Sequence, residues 1–130
     1  MQHALILDDN LNNAEVLGEL LTVEGFQTII ITHPRDLETA LSVADSLRVI
    51  FLDLEMPTMN GYQALEFIRS HPDQQNVPVV AYTVHSGEMA RARQFGFQAF
   101  IGKPVDVERF SADLAEILNG HGVWVLPWAG

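Results

Sequence analysis

Val49-Ile50-Phe51-Leu52 is a run of four apolar residues with no polar partner between them. A strand with one wet face alternates; a continuous run of this length suits a strand covered on both faces, which is the situation in a parallel sheet flanked by helices. The run ends on Asp53, followed by the turn-rich stretch Leu54-Glu55-Met56-Pro57-Thr58-Met59-Asn60-Gly61. Asp53 is therefore expected at the carboxyl end of a buried strand, the edge at which open α/β sheets bind their ligands.

The rest of the chain repeats this design. Ala4 to Leu7 is a second apolar run and stops at Asp8-Asp9. Asn10 can cap a helix with Leu11, Ala14, Leu17 and Leu21 at helical spacing, ended by Gly25. Phe26 to Ile31 reads as the next strand, and Pro34 can open a helix with Leu37, Ala40, Leu41 and Ala44 on one face. After the Asp53 strand, Asn60 can cap a helix that turns Ala64, Leu65, Phe67 and Ile68 inward, broken at His71-Pro72. Val77 to Tyr82 is a fourth strand ending at Thr83, and Ser86 can cap a short helix that stops at Gly96. Gln98 to Ile101 is a fifth strand, leading into Gly102-Lys103-Pro104. A final helix spans about Asp106 to Leu118, with Phe110, Leu114, Ile117 and Leu118 apolar. Five strands alternating with five helices predict a doubly wound α/β domain over residues 1–120.

Residues 121–130 stand apart. Val123-Trp124-Val125-Leu126-Pro127-Trp128 carries both tryptophans and is too apolar for a free linker. It is expected to pack on the domain, over a sheet edge. The alternatives are a contact surface for a homodimer, or the stub of a linker to a missing output domain.

Composition removes several function classes. With 130 residues, 48% hydrophobic and 18% charged, the chain has the make-up of one globular domain. No cysteine is present, so thiolate chemistry and disulfides are excluded. A net charge of -10 would repel nucleic acid, and no apolar run approaches a membrane span. The N-terminus has no signal-peptide pattern, so a cytoplasmic location is expected. The basic residues are six arginines and one lysine, Lys103.

In a parallel sheet the polar residues at the strand ends share one edge: Asp8 and Asp9, Asp53, Thr83 and, just beyond the fifth strand, Lys103. Clustered carboxylates repel one another unless a cation neutralises them. An all-oxygen site with one to three carboxylates suits Mg²⁺ (or Mn²⁺). Asp53 could then accept a phosphoryl group as an aspartyl phosphate, with Thr83 and Lys103 holding its oxygens. Taken singly, each residue is ordinary. An Asp-Asp-Asn after a strand is often only a helix cap, and a lone Thr or Lys is usually a solvated surface group.

The combination resembles the receiver domains of two-component response regulators, of the chemotaxis-regulator type. The resemblance covers residues 3 to 118. Its motifs are Asp8-Asp9, the run from Asp53 to Gly61, Thr83 thirty residues after Asp53, and Lys103-Pro104 twenty after Thr83. It implies a flavodoxin-like sheet of order 2-1-3-4-5 and a cis Lys103-Pro104 bond. It implies Asp53 as phosphoacceptor, Mg²⁺ on Asp8, Asp9, Asp53 and the backbone carbonyl of Glu55, and Thr83 and Lys103 as phosphoryl ligands. It further implies a switch through Thr83 and Phe100, read at a face of the fourth helix, fifth strand and fifth helix that includes Arg91 and Arg109.

The implied partners are a sensor histidine kinase or phosphotransfer protein and a downstream protein. The chain would catalyse only its own phosphorylation and dephosphorylation. Glu55, Val84 and His85 are expected to set the lifetime of the phosphorylated state, with Val84 narrowing access for water or small phosphodonors and the Glu55 carboxylate reaching Lys103 or the metal's water shell. His85 itself is expected to be an exposed loop residue and not a base. Two other classes share part of this chemistry. Magnesium-dependent aspartyl-phosphate phosphatases of the haloacid-dehalogenase type place the nucleophile in an Asp-x-Asp motif after the first strand, a spacing Asp8-Asp9 lacks. A receiver-like module that binds without phosphate would not need all five chemical residues, and here all are present.

Overall fold

The computed structural model describes residues 2–43 and 46–128. Its strands are β1 (His3–Leu7), β2 (Gln27–Ile31), β3 (Leu47–Leu52), β4 (Val79–Thr83), β5 (Ala99–Gly102) and β6 (Val123–Val125). The helices are α1 (Leu11–Val23), α2 (Leu37–Val43), α3 (Gly61–Arg69), α4 (Met89–Phe95) and α5 (Val107–Leu118). The sheet has the order β2-β1-β3-β4-β5-β6, and every neighbouring pair is parallel. The expected five-stranded order is thus present, extended by a sixth strand that the tail contributes.

Strand periodicity splits the core in two. Along β1, Leu5 and Leu7 face the layer of α2, α3 and α4, while Ala4 and Ile6 face α1 and α5. Every residue from Val49 to Leu52 is fully buried, as the unbroken apolar run requires. Phe51 sits edge-on to Tyr82 with ring centroids 6.3 Å apart. Emptying that position would cost about 3–5 kcal/mol in lost transfer energy and cavity.

Local signals set most helix starts. Asn10 accepts the amide of Asn13, and Asp106 that of Glu108. Asn60 and Gln63 form a reciprocal capping box at α3, with the bonds at 2.9 and 3.1 Å. Ser86 does not cap the fourth helix. A short 3-10 turn, Ser86–Glu88, precedes α4, and its N-cap position is His85, without a side-chain bond. Pro34 likewise opens a 3-10 turn, Pro34–Asp36, that leads into α2. Ala44, expected on the inner face of that helix, lies outside the described residues.

Candidate functional site

Parallel pairing registers the strand ends. Leu7 lies opposite Leu52, and the Asp53 amide donates to the Leu7 carbonyl at 2.9 Å, so Asp8 and Asp53 follow side by side. On the other flank Thr83 pairs with Gly102, and the Lys103 amide donates to the Thr83 carbonyl at 2.8 Å. The four strand ends therefore converge on the edge expected from the sequence.

The side chains meet there. Lys103 Nζ donates to Asp8 Oδ2 at 2.6 Å and lies 3.8 Å from Asp53 Oδ2. Asp8 and Lys103 are 1% and 7% exposed, so this is a buried ion pair, costly to break from one side only. The other Asp8 oxygen accepts the Asn10 amide at 2.9 Å, which fixes the carboxylate. Asp53 Oδ1 accepts the Glu55 amide at 3.3 Å. Lys103 Nζ also lies 5.0 Å above the centre of the Tyr82 ring. Burial, and secondarily the Asp8 charge, push the Tyr82 phenol up to about 12, so Tyr82 stays neutral.

One oxygen each from Asp8, Asp9 and Asp53 lies within 4.8 Å of the others, with Asp9 on the solvent side. Burial raises the Asp53 carboxyl from 3.8 to about 6; Lys103 pulls it down, Asp8 pushes it up, the Glu55 amide lowers it and Asp9 raises it. A single lysine therefore does not offset the acidic cluster. Three hard oxygen donors and an unbalanced negative charge fit a divalent cation of the magnesium type.

Thr83 is fully buried, and its hydroxyl oxygen accepts the His85 amide at 3.2 Å, leaving the O–H for another acceptor. Val84 is 58% exposed beside it. The Glu55 carboxylate is not among the ion-pair partners of Lys103, which are Asp8 and Asp53. It pairs with His85 Nε2 at 3.0 Å, joining the loop after β3 to the loop after β4. His85 is a half-exposed loop residue, and this bond joins residues thirty apart in the chain. Phe100 is fully buried and lies in the core, facing the α2–α4 layer, not at the acidic cluster.

Two close approaches of the backbone shape the rim. A Cβ on Gly61 would lie 2.7 Å from the Asp53 carbonyl and 2.9 Å from Leu54 Cα, so only glycine lets α3 start this close to the phosphoacceptor candidate. The second involves the tail. β6 pairs with β5 at Ala99↔Val123, Phe100↔Trp124 and Ile101↔Val125, so β5 presents no free edge. Trp124 packs against the core layer containing Phe100, under Arg93, whose guanidinium carbon is 4.9 Å from the ring centre. The face expected from the fourth helix, fifth strand and fifth helix is therefore divided by the chain's own β6. Arg91 stacks on Tyr62 at 4.5 Å, and Arg109 lies 3.5 Å from Asp113. The Lys103-Pro104 bond is cis, as the resemblance implied.

Comparison with known proteins agrees with this geometry. The response regulator receiver domain model matches residues 4–115. The polar-differentiation response regulator DivK of Brucella anthropi is 30% identical over 119 residues, covering 88% of this chain and 94% of the relative. The receiver domain of a signal transduction histidine kinase from Syntrophus aciditrophicus superposes with a TM-score of 0.78 at 28% identity, covering 92% of both chains. The receiver domain of a sensor histidine kinase of Pseudomonas aeruginosa PAO1, solved with a magnesium ion coordinated in its active-site cleft, has a TM-score of 0.79 at 22% identity. It covers 91% of this chain and 98% of its own.

Proposed function

Because the chain belongs to the response regulator receiver domain family of two-component signalling, we propose that it takes a phosphoryl group onto Asp53 from a histidine kinase or phosphotransfer protein. One observation carries this reading. Lys103, distant in sequence, lies within 3.8 Å of Asp53 and 2.6 Å of Asp8, at the rim where three carboxylates converge.

In this reaction an Asp53 carboxylate oxygen attacks the phosphorus of a phosphohistidine in line. The O–P bond forms as the P–N bond breaks, and the imidazole leaves with the electron pair and takes up a proton. With its carboxyl near 6, Asp53 is mostly ionised at neutral pH and competent to attack. The Thr83 O–H donates to one phosphoryl oxygen. Lys103 swings from Asp8 towards another, so its charge follows the charge being transferred. Mg²⁺ (or Mn²⁺), held by Asp8, Asp9, Asp53 and the Glu55 carbonyl, would supply positive charge against the phosphoryl oxygens. Water later returns inorganic phosphate, and the Glu55–His85 bridge and Val84 govern its approach. The phosphoryl adds about -1.5 to -2 charges to an already acidic rim, which can act only by favouring one of two existing arrangements. The partner acted on is a downstream protein in the cytoplasm.

The test is mass spectrometry after incubation with acetyl phosphate and Mg²⁺. The wild type should gain one phosphoryl group, and Asp53→Asn none. In a parallel incubation with a generic phosphate ester, turnover of many equivalents would indicate a phosphatase instead, and no uptake from acetyl phosphate would indicate a phosphate-independent module.

A further inference from the structure

Past the end of β6 the chain stays against the domain. Three more residues follow the course of β5 to the loop that carries Lys103. Pro127 packs on Gly102 so closely that any Cβ at position 102 would overlap its ring and its nitrogen. The Trp128 amide donates to the Pro104 carbonyl at 2.9 Å. The Lys103 main chain is thus held by its own amide on Thr83, by Pro127 against the residue before it, and by Trp128 on the residue after it.

Resting on the phosphoacceptor reading, we propose that Leu126–Trp128 is a clamp that positions Lys103 for the phosphoryl group, with the Trp128 main-chain amide as its principal contact. A lysine places a compact charge at the end of a flexible four-carbon stem, so its reach is set by where its backbone stands. Here the Nζ must pass from Asp8 to a group on Asp53, a swing between partners at 2.6 and 3.8 Å. A loop free to follow the side chain would let Lys103 settle on either carboxylate; a fixed loop confines the motion to side-chain torsions, and small misplacements are costly in positioned reactions. Covering the β5 edge requires only Val123–Val125, the residues that pair with it. Edge protection therefore does not account for the two contacts beyond the strand. Gly102 fits the same device, since a larger residue there would push Pro127 away.

Two substitutions separate the amide from the indole. Trp128→Pro removes the N–H donor, whereas Trp128→Ala keeps it and removes the ring. Both are made in the full chain, with folding checked by near-UV circular dichroism, and the rate of phosphorylation is followed against acetyl phosphate concentration at saturating Mg²⁺. Trp128→Pro is expected to lower the saturating rate about threefold to tenfold, the effect of one lost hydrogen bond, with Mg²⁺ affinity little changed. Trp128→Ala should retain the wild-type rate. In a Lys103→Met background Trp128→Pro should have no further effect, which a merely structural contact would not produce. If Trp128→Pro does not fold, Pro127→Gly, which frees Gly102, takes its place in the same cycle.

A wild-type rate in Trp128→Pro, an equal fall in Trp128→Ala, or a Trp128→Pro effect that persists without Lys103 would each overturn the clamp while leaving the phosphoacceptor reading intact. A wild type that takes up no phosphoryl group removes that reading and the clamp together.

Discussion

Asp53→Asn should make the protein more stable at neutral pH, although it removes the residue on which the proposed chemistry depends. Burial lifts the Asp53 carboxyl from 3.8 to about 6, against the pull of Lys103 and with further lift from Asp8 and Asp9. An acid whose pKa is higher folded than unfolded binds its proton more tightly in the native state. Its ionisation therefore opposes folding. The penalty is absent below about pH 4, grows as pH rises to about 6, and is constant above that. A rise of about two pK units corresponds to about 3 kcal/mol, which solvent at the cleft mouth reduces to about 2 kcal/mol. Asparagine keeps the shape of the side chain and an oxygen for the Glu55 amide, but carries no charge. Urea unfolding in the presence of a chelator should show Asp53→Asn ahead by about 2 kcal/mol near pH 7.5, or about 6 °C in melting temperature for a domain of this size.

The pH dependence is the discriminating part. The two proteins should converge near pH 4, where the wild-type carboxyl is already protonated. Millimolar Mg²⁺ should narrow the gap from the other side, because a cation that binds only the native state stabilises it by mass action, and the wild type offers it the full carboxylate set. An Asp53→Asn protein no more stable than wild type near pH 7.5, or a gap of the same size near pH 4, would refute the claim that burial and like charge govern this site.

Gly61→Ala places a Cβ 2.7 Å from the Asp53 carbonyl and 2.9 Å from Leu54 Cα, where the obstruction is backbone. It should cost about 1–3 kcal/mol by urea unfolding and slow phosphoryl uptake as the Asp53 loop shifts. Val84→Ala should shorten the phosphoryl lifetime, timed by loss of the adduct after the donor is removed; an unchanged lifetime would take Val84 out of the account. His85→Ala should alter the same lifetime by freeing Glu55, while costing under about 1 kcal/mol of stability, since the bridge is solvent-exposed.

The residues that assemble the site were legible because each follows an apolar run. Val49 to Leu52 can be buried only between two layers, and this places Asp53 at a strand end whatever the exact boundary. The same lack of alternation conceals phase, and the fourth and fifth strands begin at Val79 and Ala99, two residues and one residue later than the expected starts at Val77 and Gln98. Ser86 is a good cap by type, but the chain leaves Thr83 through a 3-10 turn, so the cap position of α4 falls at Glu88, two residues later. The Glu55–His85 bond joins two loops, and the Pro127–Gly102 contact joins the tail to the end of β5. Neither partner has a pattern of its own, and only the order of strands brings them together.

That strand order also explains why the tail can reach the lysine loop. α5 crosses back over the sheet before β6 begins, so β6 runs parallel to β5 and finishes at the same edge. A tight hairpin from β5 would have covered the same backbone groups but delivered the chain to the opposite edge. Val123–Val125 is too short for its composition to announce a strand, yet its direction is fixed by the helix before it. Once the strand is parallel, Pro127 and Trp128 arrive beside Gly102 and Pro104 for the same reason that Asp8, Asp53 and Thr83 arrive beside one another.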